Sequence, residues 1–351
     1  MHKKKRVAVV TSDVAFVKGG HLIIAESTVK ALRDSGHEAD LILTPQNRFG
    51  RQLRAYLATR FTDVGEDGLG RQIDQVISFR FPSYAVKHPH HVCWLNHRLR
   101  EYYDLWGVFS SGLSWKARWK ESFRRRAVHL LDAYLLKHNV TKLYAQSKTI
   151  QKRLKTWGNI TSDVLYPPPP QRNYSTDSYQ NFILSVCRFH KLKRVDLLLD
   201  ALVHMKKKNV KAVIIGDGPE KENLLRKIKE NHLEERIVFL GTTDEQTLTA
   251  YYSRCLAVFY APLREDYGLV TAEAFASRKP VVTTIDSGGP AELVTDDERG
   301  YVCQPDPNRI ARRLDELSEN KALAERLGKK GYAFISQLNW ENTVNKLLIG
   351  V

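Results

Sequence analysis

Two carboxylates frame the most informative stretch of this chain, REDYGLVTAEAFASRKPVV over residues 264–282, with seven residues between Glu265 and Glu273. The apolar run LAVFYAP precedes it, so Glu265 falls on a loop after a strand. Asp266, Tyr267 and Gly268 complete that loop; a helix then opens at Leu269–Val270 and is expected to carry Glu273 in its first turn. A helix start offers free backbone N–H groups and the positive end of the macrodipole, which hold an anion. Carboxylates beside it accept hydrogen bonds from hydroxyl groups. Such a junction suits a ligand that is phosphate on one side and polyol on the other. Two isolated glutamates would also fit as a solvated side chain and a helix-dipole partner, so the neighbouring residues decide.

Cations lie at a comparable place. VCRFHKLKR carries Arg188 and Lys193 five apart on the loop after another strand-like run. Arginine grips a diphosphate through its bidentate fork, and lysine neutralises it as a point charge. VIIGDGPEKENLL sets Gly216, Asp217 and Gly218 between a strand and a helix, a pattern common to many nucleotide-binding sheets. Gly19 and Gly20, in VKGGHLIIAESTVKAL, precede a helix where a bare backbone can approach a ligand, and HVCWLNHRLR places His97 just past a strand end. A basic, aromatic segment follows, with Arg98 and Arg100 and then SWKARWKESFRRRAVHLL, which holds Trp115, Lys116, Arg118, Trp119, Lys120 and Arg124–Arg126. It fits an acidic lipid surface, the wall of an acceptor pocket, or a plain solvated helix face.

These residues need a scaffold of strands whose ends converge. Short β-branched runs alternate with amphipathic stretches along the whole chain, the pattern of parallel α/β layers. Strands are expected at RVAVVTSD, HEADLILTP, QVISFRF, HVCWLN and KLYAQS. After LYPPPPQRNYSTDSYQ, whose four prolines cannot continue a helix or central strand, the pattern restarts with NFILSVCRF, KAVIIGDGP, RIVFLG, LAVFYAP, PVVTT and GYVCQP. The expected organisation is a doubly wound domain over 1–168, a second over 169–335, and a terminal helix within FISQLNWENTVNKLLIGV that packs back on the first. At 351 residues two cores are the natural count. Ligands in such sheets bind beyond the carboxyl ends of the strands, where the loops of Arg188–Lys193, Gly216–Gly218, Glu265–Gly268 and His97 fall.

The segment from Glu265 through Tyr267, Gly268, Leu269, Glu273, Ala274 and Ala276 to Gly288, Gly289, Pro290 and Glu292 resembles the donor-site signature of retaining nucleotide-sugar glycosyltransferases of family 4. The Arg188–Lys193 loop, the Gly216–Gly218 loop, the Gly19–Gly20 pair and His97 are similar to segments of the same family in the same order. The resemblance implies the GT-B fold, two Rossmann-like domains facing across a cleft, the first on the acceptor side and the second binding the donor. It also implies sugar transfer from a GDP- or UDP-linked donor to a glycan or lipid-linked acceptor, as in bacterial polysaccharide or glycolipid synthesis. In that reading His97, Arg188, Lys193 and Glu265 serve catalysis, Glu273 holds the ribose, the backbone of Gly19 and Gly20 approaches the donor's diphosphate, and residues 265–270 with Gly216–Gly218 complete the donor pocket. Arg98, Arg100, Trp115, Lys116 and Arg118 become candidates for the acceptor side. Cys187 and Arg194 depart from the family pattern, which often has glycines there.

Composition sets the rivals. A net charge of +16 calls for an anionic partner, and a nucleotide sugar, an acidic membrane surface or a nucleic acid would each serve. The basic residues are dispersed and match no nucleic-acid module. A nicotinamide enzyme would need G-x-G-x-x-G after the first strand, where TSDVAFVKGG stands instead. An epimerase or hydrolase acting on the same donor is the nearer alternative. The chain has no D-x-D triplet, and with cationic side chains available neither a metal nor a cofactor is expected. Four scattered cysteines and no apolar run near the roughly 18 residues a membrane span needs point to a reduced, cytoplasmic protein, peripheral to the membrane at most.

Overall fold

The structure, a computed structural model, describes residues 4–13, 19–46 and 50–350. Its chain divides into two compact units, one of Met1–Pro167 with Asn339–Val351 and one of Pro168–Leu338.

Among the described residues the first unit holds a parallel sheet of six strands: β1 (Arg6–Asp13), β2 (Glu38–Pro45), β3 (Gln75–Ser78), β4 (His91–Leu95), β5 (Lys142–Ala145) and β6 (Asp163–Val164). Their order is β2-β1-β3-β4-β5-β6. The middle strands β3 and β4 are buried at every position, the polar Gln75, Ser78 and His91 included, as befits strands covered on both faces. The Gly20–Asp34 helix covers one face through Ile24, Thr28, Val29 and Leu32. The Trp115–His138 helix turns Val128, Asp132, Leu135 and Leu136 inward. Asp132 is buried there and accepts hydrogen bonds from the hydroxyls of Tyr56, Tyr84 (2.5 Å) and Tyr103 (2.7 Å), which satisfies a carboxyl group that burial alone would make costly.

The second unit repeats the arrangement with β7 (Phe182–Val186), β8 (Lys211–Ile215), β9 (Ile237–Gly241), β10 (Ala257–Phe259), β11 (Val281–Thr284) and β12 (Gly300–Cys303), in the order β12-β11-β10-β7-β8-β9. Its core joins Ile183, Ile214 and Phe259 from the sheet to Leu198, Leu202, Ile310 and Leu314 from the Val195–His204 and Pro307–Glu319 helices. The expected α/β architecture of two Rossmann-like domains is therefore present.

Both sheets reverse direction once. β1 pairs with both β2 and β3, and β7 with both β8 and β10. Chain connections leave to opposite sides at these points, which opens a crevice at the carboxyl ends of the strands.

The terminal stretch departs from the expected single helix. The Lys321–Ile335 helix stops, and Asn339 starts a new one, Trp340–Leu347, by accepting a hydrogen bond from the Asn342 amide at 2.8 Å. This last helix belongs to the first unit. Gln75 donates to the Leu347 carbonyl (2.6 Å) and accepts from the Ile349 amide (2.9 Å), and Trp340 meets Trp94 edge-on.

Candidate active site

In the second unit the loops after β7 and β10 flank the reversal point, and hydrogen bonds draw them together. The Leu263 amide donates to the Leu192 carbonyl at 2.7 Å. Lys193 ends the short 3-10 turn Lys191–Lys193 and extends its ammonium to Glu265 Oε2 at 2.6 Å and Tyr260 Oη at 3.1 Å. Burial works against the charged lysine, but the Glu265 carboxylate and the Tyr260 hydroxyl outweigh it and hold its pKa above the ordinary value. The pair is not sealed: the side chains of Lys193 and Glu265 are 22% and 20% exposed, so a ligand can reach both.

Glycines shape the loop that carries Glu265. Gly268 caps the Leu269–Ala276 helix with φ at +87°, and a Cβ there would meet Pro290 Cγ at 2.6 Å. Gly288, at φ +77°, lies so close under the loop that a Cβ would stand 2.4 Å from the Glu265 carbonyl oxygen. The Glu265 amide donates to Ser287 O (2.7 Å) and the Gly289 amide to Glu265 O (3.0 Å), which fixes the carboxylate-bearing residue from both sides. Asp266 and Tyr267 are buried and build the loop, whereas Leu269 and Val270 at the helix start are half-buried.

The other donor-side candidates gather on neighbouring loops. Gly216, Asp217 and Gly218 follow β8 and are tied to the β7 loop, since the Phe189 amide donates to the Asp217 carbonyl at 2.9 Å. Arg188 is exposed on that loop, and no hydrogen bond or ion pair engages its side chain among the described residues. A hollow of about 370 Å³ lies beside this loop, lined by Phe189, His190, Lys191, Asp196, Glu220 and Lys227 among others. None of the predicted site residues lines it, so it is distinct from the Lys193–Glu265 crevice.

Glu273 differs from its expected position and surroundings. It lies in the second turn of its helix, is 4% exposed, and has both oxygens engaged. Oε1 accepts from Arg172 and, at 3.4 Å, from the Tyr174 hydroxyl; Oε2 accepts from the Tyr252 hydroxyl at 3.2 Å. Burial outweighs these partners and raises its pKa above the ordinary carboxylate value. In this arrangement Glu273 ties the segment after the prolines to the domain and has no open oxygen for a ribose.

In the first unit, Gly19 and Gly20 begin the Gly20–Asp34 helix after β1, with no side-chain cap; residues 14–18 of the same loop lie outside the described residues. His97 follows β4. Its Nδ1 lies 2.7 Å from the Arg98 carbonyl, and because a carbonyl only accepts, Nδ1 carries the proton in the neutral ring. His21, close to Arg80 and His97, is kept neutral: burial and those two neighbours lower its pKa to about 3.

The acceptor-side candidates separate. Arg98 is 6% exposed, donates to the Trp157 and Arg153 carbonyls at 2.8 and 3.0 Å, and stacks on the Tyr103 ring. It caps the C-terminal end of the Lys148–Thr156 helix, where unpaired carbonyls need a donor, and is corrected here from a ligand contact to a structural residue. Arg100 is held by Asp104 at 2.7 Å. The cavity that both arginines line with His97 has only about 20 Å³, room for about one water. Trp115, Lys116 and Arg118 lie exposed at the start of the Trp115–His138 helix.

Residues 171–334 match the family model described as Glycosyl transferases group 1. The second unit is a group 1 glycosyltransferase domain. The chain is similar to the human alpha-1,3/1,6-mannosyltransferase ALG2, with 24% identity over 53% of this chain and 51% of that protein. It is also similar, at 35% identity over 40% of this chain and 38% of the relative, to the N-acetylgalactosamine-N,N'-diacetylbacillosaminyl-diphospho-undecaprenol 4-alpha-N-acetylgalactosaminyltransferase of Campylobacter jejuni. The matched region thus spans about half or less of these two relatives. Among solved structures, HepE of Anabaena in complex with UDP and glucose superposes with a TM-score of 0.70 at 17% identity, covering 97% of each chain. That likeness establishes the fold of both units.

Within the group 1 domain, residues that carry the site escaped the sequence reading. Tyr260, in the apolar run LAVFYAP, is not among the expected site residues, yet its hydroxyl accepts a hydrogen bond from Lys193. Arg194, read as a departure from a family glycine, does adopt the left-handed conformation a glycine would favour (φ +50°). Its guanidinium then compensates: it pairs with Asp286 at 2.7 and 2.8 Å and donates to Thr284 and to the Ala261 and Pro262 carbonyls, clamping the base of the Glu265 loop.

Proposed function

We propose that this chain transfers a sugar from a nucleoside diphosphate donor to an acceptor hydroxyl, with retention of anomeric configuration as the family-4 resemblance implies. One observation carries the reading: the half-open Lys193–Glu265 pair, with Tyr260, at the strand reversal of the group 1 domain. Rupture of the glycosidic bond leaves negative charge on the departing diphosphate, and a fixed cation in a partly desolvated crevice stabilises it most in the transition state. Lys193 is that cation. Arg188, free on the adjacent loop, is the second, and the amides at the start of the Leu269–Ala276 helix add donors. Glu265 holds the hydroxyls of the donor sugar; Gly216–Gly218 form the nucleotide-side loop. If Glu273 is to accept from a ribose, Arg172 or Tyr174 must first release Oε1, so donor binding and release of residues 172–174 would be one event.

In the first unit we assign the backbone of Gly19 and Gly20 to the donor and His97 to catalysis, as the resemblance implies. The Nδ1 hydrogen bond to the Arg98 carbonyl fixes the orientation of the His97 ring at the end of β4. The relatives' names supply the substrate classes: mannose and N-acetylgalactosamine as transferred sugars, a diphospho-undecaprenol-linked glycan as acceptor, UDP as the bound nucleotide. We place the chain in the cytoplasm, in keeping with its four free cysteines.

Thermal stabilisation by UDP-, GDP-, ADP- and dTDP-sugars tests the proposal, with NAD as control. A donor at about a hundred times its dissociation constant adds about 2.7 kcal/mol. Stabilisation by one nucleotide sugar, lost in Lys193→Met, and turnover that requires an acceptor are the expected results. Stabilisation by NAD alone would overturn the reading, and acceptor-independent turnover would replace transfer by epimerisation or hydrolysis.

A further inference from the structure

We propose that the outer face of the Trp115–His138 helix docks on an anionic lipid bilayer surface. The helix is fixed to its unit by Val128, Asp132, Leu135 and Leu136. On the other side Trp115, Trp119, Phe123, Leu130 and Tyr134 are 76%, 77%, 71%, 74% and 61% exposed. At about 100° per residue this stripe centres on the order of 180° from the buried face, and it runs for roughly 29 Å. A second apolar face opposite the first is not needed to fold the unit, and an exposed contiguous patch of aromatic and aliphatic bulk marks a contact surface.

Charge selects the occupant. Lys116, Arg118, Lys120, Arg126 and Lys137 are exposed on the same helix. Its two acidic residues are turned to internal partners: Glu121 to Tyr102 and Arg124, and Asp132 to its tyrosines. Aromatic and leucine side chains flanked by lysine and arginine suit the boundary between anionic headgroups and acyl chains. A second copy would bring like charges together along the whole stripe. No helix among the described residues is long and apolar enough to cross a membrane, so the contact is with the surface. The inference does not depend on the donor-site assignment.

Co-sedimentation of the full chain with vesicles tests it, using phosphatidylcholine alone and phosphatidylcholine with about 30% phosphatidylglycerol. Binding is expected only to the anionic vesicles and should weaken as salt shortens the screening length. The double variant Trp119→Ser/Phe123→Ser should lose binding, and Lys116→Ala/Lys120→Ala should bind about thirtyfold more weakly. Both variants should keep the wild-type Tm, because all four side chains are exposed. Equal binding to neutral vesicles, or unchanged binding by both folded variants, overturns the proposal. So does a dimer in solution that the apolar variant dissociates, or RNA retention that replaces vesicle binding and is lost in the same variants.

Discussion

Glu265 and Glu273 belong to one continuous motif, yet their surroundings differ in nearly everything that governs chemistry. Glu265 keeps a fifth of its side chain in solvent and shares Lys193 with a tyrosine hydroxyl on a loop held by backbone hydrogen bonds. Glu273 is enclosed, and Arg172, Tyr174 and Tyr252 occupy both of its oxygens. A paired charge that stays half-open can exchange its partner for a ligand, whereas a paired charge that is buried serves the fold. The difference teaches that equal residue types in one signature can divide between binding and architecture.

The largest effect should come from the enclosed side. Glu273→Ala leaves the half-buried Arg172 guanidinium facing the exposed Glu245 and leaves two hydroxyls without their acceptor, and should cost about 3–5 kcal/mol of stability by denaturant unfolding. A variant as stable as wild type would break the comparison. On the open side, Lys193→Met should lower turnover about 10²- to 10³-fold, about 3–4 kcal/mol in the barrier, with little change in Tm. Steady-state kinetics beside a melting curve separates the two kinds of loss.

Acid should sharpen the same contrast in the first unit. His91 is enclosed, bonded to Ser78 at 2.7 Å and to the Asn139 carbonyl at 2.9 Å, and burial lowers its pKa to about 4. The folded state therefore holds it neutral while the unfolded chain protonates it near pH 6.5. Its contribution is complete above about 6.5 and fades as pH falls toward 4, a loss of about 3 kcal/mol. Unfolding curves across that window should show this slope, and His91→Gln should flatten it. The smallest effect is expected at Arg194→Lys, which keeps the charge but loses the fork that spans Asp286 and two carbonyls. About 1–2 kcal/mol should go from stability, with donor affinity reduced only through the loosened loop.

Much of this was legible in the sequence because strands and glycine turns are local. The apolar runs around LAVFYAP and NFILSVCRF located β10 and β7, and the Gly268 and Gly288 positions marked the turns their backbone angles require. The partners of Glu273 were not legible, since Arg172 lies 101 residues away and only the folded chain brings it there. Arg98 was misread because its type and setting look the same whether it meets a ligand or caps a helix. The Trp115–His138 helix is apolar on two faces, so its period alone could not say which one turns inward.

The central claim, that Glu265 meets the donor's sugar and Lys193 its diphosphate, is tested most directly by calorimetric titration. The nucleotide sugar that stabilises the wild type and its bare nucleoside diphosphate would each be titrated into wild type and Glu265→Gln. The account predicts that the variant binds the nucleotide sugar no more tightly than the bare diphosphate, while its affinity for the diphosphate itself is unchanged. A variant that still prefers the nucleotide sugar by the wild-type margin would contradict it.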